Sequence, residues 1–168
     1  MANTLIDPVR NNDAVEAVIR DTYDGTLVMC ADNVPYAVPI NHAFVGGRFL
    51  FHCAVRGRKL DLIRQNPNVC YVIAKYHATP GQPPPDCRCH GPWESVIAYG
   101  TARIVHEPVE KAAIFGEFMG WYGQTDFAMS DHARNDTSAI VLDVTSMTVR
   151  VELTEGVKDY WLWLPQGV

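Results

Sequence analysis

Arg56-Gly57-Arg58-Lys59 follows directly on an apolar strand pattern, Phe49-Leu50-Phe51-His52-Cys53-Ala54-Val55, at the point where a helix is due to begin. A strand that delivers cations to a helix start builds a seat for phosphate. The first turn of a helix carries backbone N–H groups without intrahelical partners and the positive end of the macrodipole, so an anion meets both at once. Arg58 and Lys59 add full charges to that field. Between Arg56 and Arg64 stand four basic residues, Arg56, Arg58, Lys59 and Arg64, against the single acid Asp61. This local excess sits in a chain of net charge −5, which makes it conspicuous. The plain alternative is a solvated basic turn ahead of an ordinary amphipathic helix, since charge clusters usually face water.

Cys87-Arg88-Cys89-His90 is the second cluster of chemically capable groups. Thiolate and imidazole are good zinc ligands, but structural zinc sites usually join two separated ligand pairs, and the chain has no second pair of that spacing. No metal site is therefore assigned. A redox role for the Cys-x-Cys pair and an incidental loop position both remain open. His52 taken alone reads as a satisfied, half-buried histidine, and only the neighbouring basic run gives it a binding role. His42 falls on the opposite strand face from Asn41 by alternation and is left out.

The chain has 168 residues, 48% of them hydrophobic and 20% charged, enough for one domain with a real core. The acidic balance argues against nucleic acid, whose backbone asks for a broad basic face. The apolar run Val69–Ala74 is far shorter than the roughly 20 residues a membrane span needs, and Met1-Ala2-Asn3-Thr4 does not resemble a signal peptide. A cytoplasmic protein without membrane contact is expected. Five cysteines, three of them isolated in apolar runs, fit a reducing compartment.

The elements that must position these groups follow from periodicity and breakers. Asn12 or Asp13 caps a helix carrying Val15, Val18 and Ile19, which stops near Gly25. Gly25–Ala31, Pro35–Phe44 and Arg48–Ala54 read as three strands of an antiparallel meander, turning at Asp32-Asn33 and Val45-Gly46-Gly47. A short helix over Lys59–Gln65 ends before Asn66-Pro67. Val69–Tyr76 and Ser95–Val105 follow as strands on either side of the stiff stretch Thr79–Pro85. Pro108 opens a helix over Val109–Tyr122 that must cover a sheet. Ala139–Glu152 is the last strand, with a bulge or bend at Thr145-Ser146. Tyr160-Trp161-Leu162-Trp163-Leu164 forms an exposed-looking aromatic tail that wants a partner surface.

Three stretches in this order and spacing carry a resemblance: Pro35-Tyr36-Ala37-Val38-Pro39-Ile40-Asn41, then Phe49–Cys53 with Gly57-Arg58-Lys59, then Ser95–Arg103. Together they resemble the flavin-binding split barrels of the pyridoxamine 5'-phosphate oxidase type, within the group related to nitroimidazole-resistance proteins. The resemblance implies a mainly β fold with added α, a six-stranded antiparallel split β-barrel with peripheral helices, as one domain over 1–168. Its core would span about 25–153, with a C-terminal tail over 154–168 at a homodimer interface. It further implies that Gly57, Arg58 and Lys59 clamp the phosphate of flavin mononucleotide (FMN), with His52 and Cys53 offering polar side chains near the phosphate and ribityl chain. Charge-assisted hydrogen bonds from several donors suit such a dianion. Val38, Pro39, Ile40 and Asn41 match the strand lining the isoalloxazine ring, and Ser95 matches a position facing the flavin in a dimer. Trp93 and Glu94 either close over that flavin from a neighbouring subunit or anchor their own loop. Two departures stand out: the vitamin-metabolising oxidases carry a hydroxyl-bearing residue at the position of Gly57 and a threonine at that of Cys53.

The expected activity is reduction of a small organic molecule by a reduced nicotinamide donor, NADH or NADPH, with the coenzyme supplying the electron chemistry and no catalytic side chain assigned. The Gly-rich dinucleotide fingerprint is absent, and a donor that stacks on a flavin does not need it. The alternative is a module that holds flavin or haem without turnover, with His52 and His42 as conceivable iron ligands.

Overall fold

A computed structural model describes residues 9–77, 93–152 and 159–165. The chain begins with β1 (Val9–Arg10) and α1 (Asn12–Arg20), whose buried Val15, Val18 and Ile19 form one apolar stripe. The cap is Asn11, one residue earlier than expected, its side chain accepting from the Ala14 N–H at 3.0 Å. The helix stops at Arg20, five positions before the expected glycine, and Gly25 already lies inside β2 (Asp24–Ala31). Glycine is required there for room. A Cβ would stand 2.6 Å from the Val72 carbonyl oxygen and 2.8 Å from the Tyr71 hydroxyl.

β2 turns through Asp32 and Asn33, both at positive φ, into β3 (Val34–Asn41). Two consecutive positive-φ residues are what a two-residue hairpin turn demands, and Asp and Asn tolerate them. The expected single strand over Pro35–Phe44 is broken at His42. The imidazole is drawn into the core, and β4 (Ala43–Val45) leaves β3 to pair with β5 (Arg48–Ala54). The three-strand meander is thereby corrected, because β5 runs antiparallel to β8 (Thr137–Glu152), from Arg48 opposite Asp143 to Ala54 opposite Thr137.

α2 (Arg58–Gln65), β6 (Asn68–Tyr76), β7 (Trp93–Val105) and α3 (Pro108–Trp121) take their places within a few residues of expectation. All six expected strands exist, and β1, β4 and β9 (Asp159–Trp163) bring the total among the described residues to nine. Ladders run β4-β5-β8-β7-β6-β2-β3, and no ladder joins β3 to β5 among the described residues. The barrel is split at that seam. β8 is long enough to serve two neighbours on one edge, β5 along its first half and β9 along Met147–Val151.

The bulge expected at Thr145-Ser146 is present. Tyr99 lies opposite Ser146 and Gly100 opposite Val144, so Thr145 is the extra residue, and its hydroxyl donates to the Tyr99 carbonyl at 3.1 Å. Gly100 permits this close approach, since a Cβ would sit 2.1 Å from the Asp143 carbonyl oxygen.

Alternation along the strands fills the barrel with Leu27, Phe49, Phe51, Tyr71, Ile73 and Met147. A second, smaller core forms where α3 lays Ile114, Phe115 and Phe118 on Leu50, Val105 and Val141, so that helix does cover a sheet. A short α4 (Asp131–Asp136), not anticipated, leads into β8. The aromatic tail is only partly the exposed element expected. β9 pairs with β8, and Trp163, 4% exposed, meets the Phe44 ring edge-on at 5.9 Å. No helix among the described residues is long and apolar enough to cross a membrane.

Candidate functional site

β5 ends at Ala54, and Gly57 begins α2 in a conformation, φ 144° and ψ 161°, that L side chains rarely adopt. The space around it is open, so backbone freedom alone explains the glycine. Its carbonyl accepts from the N–H groups of Leu60 at 3.0 Å and Asp61 at 3.4 Å, which closes the first helical turn. No side chain caps the helix. The first N–H groups and the helix dipole therefore face outward beside two cations, as an anion seat requires.

Arg58 is exposed, its guanidinium carbon 4.9 Å from the centre of the Tyr36 ring on β3. This cation–π contact ties the start of α2 to the neighbouring strand across the seam. Lys59 is half-buried and lies near Cys53. Burial pushes the Cys53 thiol up, with Lys59 opposing more weakly, so the thiol stays protonated and can act as a weak donor. Arg64 is set apart from this group, because at the far end of α2 it pairs with Asp61 at 2.8 Å.

β3 has β2 on one side and no ladder on the other among the described residues. Pro35 and Pro39 suit such an edge, where a missing N–H leaves no ladder partner unpaired. Tyr36, Val38 and the buried Ile40 turn toward the core, and Pro39 is exposed with Asn41 half-exposed. The structure thus brings Val38–Asn41, Cys53 and Gly57–Lys59 to the margins of one seam.

His52 and Ser95 do not join them within the chain. Alternation turns His52 away from Cys53 and toward α3, where its ring meets Phe118 edge-on at 4.8 Å and Phe115 at 6.1 Å. Burial lowers its pKa, which favours the neutral ring. Ser95 faces outward on β7 between Ala74 and Arg150. α2 approaches the other end of that strand, where the Ala102 N–H donates to the Pro67 carbonyl at 2.8 Å. Seven residues of extended chain separate Ala102 from Ser95, about 23 Å. Ser95 thus stands at the opposite end of β7 from the contact that follows α2.

Trp93 is anchored on its own subunit, donating to Glu152 at 3.2 Å with its ring 4.7 Å from the Arg150 guanidinium. Glu94 pairs with His77 at 2.8 Å. Cys87, Cys89 and His90 lie outside the described residues, and no group of three potential metal ligands exists among those described. Sequence reasoning gave no role to Tyr36, although its alternation with Val38 and Ile40 already placed it on the inward face.

A sequence model of the family described as pyridoxamine 5'-phosphate oxidase matches residues 11–151. An uncharacterized protein of Rhizobium meliloti (strain 1021) is 34% identical over 103 residues, which make up 57% of this chain and 60% of that relative. Among solved structures, a candidate 5-nitroimidazole antibiotic resistance protein from Bacteroides thetaiotaomicron superposes with a TM-score of 0.72 at 22% identity, over 85% of both chains. An FAD and haem binding protein from Mycobacterium smegmatis superposes with a TM-score of 0.69 at 15% identity, over 89% of this chain and 74% of the other. These likenesses agree with the split-barrel architecture.

Proposed function

Because the chain belongs to the pyridoxamine 5'-phosphate oxidase family, we propose that it is a flavoprotein that holds FMN at the seam between α2 and β3. The observation that carries this reading is the start of α2, uncapped by any side chain, where Arg58 and Lys59 flank the first helical N–H groups beside a strand edge that has no ladder among the described residues. Phosphate takes the helix start, and the exposed edge of Val38–Asn41 offers backbone donors and acceptors to the ring. The bound coenzyme supplies hydride or electron chemistry, and the chain supplies binding, orientation and shielding. Reduction of a small organic molecule by NADH or NADPH, in the cytoplasm, fits a site in which the coenzyme carries the electron chemistry.

A homodimer is part of the proposal, since the family resemblance gives Ser95 a place facing the flavin in a dimer. The outward face of β2, β6 and β7 suits that contact. Val28, Cys70, Val72, Ile97 and Tyr99 make it apolar, Tyr99 is 54% exposed, and Ser95 stands on the same face. Haem is disfavoured by both candidate histidines. The His42 ring is fully buried with Tyr71 and Ile19 at its nitrogens, and the exposed His52 lies against Phe118 of α3, away from the seam.

The mass and absorption spectrum of the small molecule released on denaturing the purified protein test the cofactor, FMN being expected. FAD would correct its identity, and a sharp Soret band would overturn the reading. Bleaching of the yellow protein by NADH or NADPH without oxygen is expected of a reductase. A flavin spectrum unmoved by either donor would leave a passive flavin carrier.

A further inference from the structure

Beneath the proposed ring-lining strand lies a buried polar group that the flavin reading does not use. Tyr71, on β6 and fully buried, sends its hydroxyl across the sheet to the Ile40 carbonyl at 3.0 Å, and the same oxygen lies 2.9 Å from His42 Nδ1. A carbonyl can only accept, so the tyrosine proton goes to Ile40. His42 presents Nδ1 to the same hydroxyl and Nε2 to the Ile19 carbonyl at 3.4 Å, which can accept only from an Nε2–H, so a neutral ring makes one of these two bonds and not both.

Gly25 is the third member. It stands directly opposite Ile40 in the β2–β3 register, and any Cβ there would meet the Tyr71 hydroxyl at 2.8 Å. Three strands and the break after β3 therefore each contribute one residue to a single bond on the Ile40 backbone. The rest of the aromatic core, Phe49 and Phe51 at 4.8 and 4.9 Å from the Tyr71 ring, holds that ring in place. A hydroxyl carried this deep is costly to bury unless its bonds are made.

We propose that Tyr71, seated by Gly25 and packed against the His42 ring, is a positioning residue that fixes the Ile40 carbonyl and with it the backbone of Val38–Asn41 that meets the flavin ring. This rests on the reading that Val38–Asn41 lines the ring. Preorganised backbone binds with less ordering cost, so loss of the clamp weakens ring recognition and leaves phosphate recognition intact.

FMN and riboflavin, which lacks the phosphate, are titrated into the wild type and Tyr71→Phe, with melting temperatures recorded alongside. Tyr71→Phe is expected to weaken both ligands by the same factor, about tenfold for one lost hydrogen bond, and to shift the visible band of the bound flavin. Replacement of Tyr71 by 3-fluorotyrosine, which keeps the hydroxyl, restores affinity to within about twofold of wild type. Unchanged affinity and spectrum in Tyr71→Phe would overturn the positioning role alone, and a wild type that binds neither ligand would overturn the flavin reading beneath it. If the phenylalanine variant does not fold, the fluorinated protein decides. Its more acidic hydroxyl shifts the bound-flavin band, and an unshifted band overturns the proposal.

Discussion

Arg58 and Lys59 act together because they sit on the first turn of one helix, and each is turned differently. Arg58 lies across Tyr36 and reaches the strand edge, and Lys59 tucks toward Cys53. Beside them, His42 gives the fold a pH dependence that can be worked out. Burial lowers its pKa to about 4, with the Ile19 carbonyl and Asp24 opposing more weakly, from an ordinary value of 6.5. Above pH 6.5 both folded and unfolded chains hold a neutral imidazole. Between 6.5 and 4 only the unfolded chain takes up the proton, so stability falls as pH falls through this window, by on the order of 3 kcal/mol. Urea unfolding at pH 7 and pH 4.5 is expected to show this loss in the wild type and not in His42→Gln. Equal slopes in the two proteins would contradict it. The cationic run was legible in the sequence because charge at a strand end is a local signal. The His42–Tyr71 pair was not, because the two residues stand 29 positions apart and meet only once β3 and β6 flank β2.

At the scale of elements, six strands were legible because each alternates apolar residues between breakers. The break after Asn41 was not, since Ala43 and Phe44 continue the apolar run and only the burial of His42 turns the chain. β9 escaped notice for a similar reason. An almost uniformly apolar Tyr160–Leu164 has no period, and its pairing to β8 depends on the length of β8 beyond β5. The bulge at Thr145 was foreseen, but its partner glycine was not. Gly100→Ala would force a methyl group into the Asp143 carbonyl at the center of the β7–β8 ladder. A loss of more than about 2 kcal/mol is expected in denaturant unfolding, as for other overpacked backbone contacts. A variant as stable as the wild type would mean that β8 does not carry its extra residue there.

At the scale of the whole molecule, the described residues leave one sheet face without cover. The outward side of β2, β6 and β7 is apolar where a monomer's exposed strands usually alternate to polar residues, and a shallow cleft of about 370 Å³ runs over it between Val28, Cys70 and Tyr99. The aromatic tail cannot be the whole of a dimer contact, since Trp163 is spent in the barrel core. If a second copy lends Ser95 to the site, Val72→Glu on this face is expected to yield a monomer by sedimentation and to lose flavin affinity with it. A monomeric wild type that binds FMN fully would contradict the shared site. Every assignment at the site depends on where the phosphate docks. FMN and riboflavin titrations of Arg58→Ala/Lys59→Ala beside the wild type measure this most directly. Each charge-assisted contact is worth about 1.5–3 kcal/mol, so FMN affinity should fall at least about 100-fold while riboflavin affinity holds. Equal losses for the two ligands, or none for FMN, would contradict a phosphate seat at the start of α2.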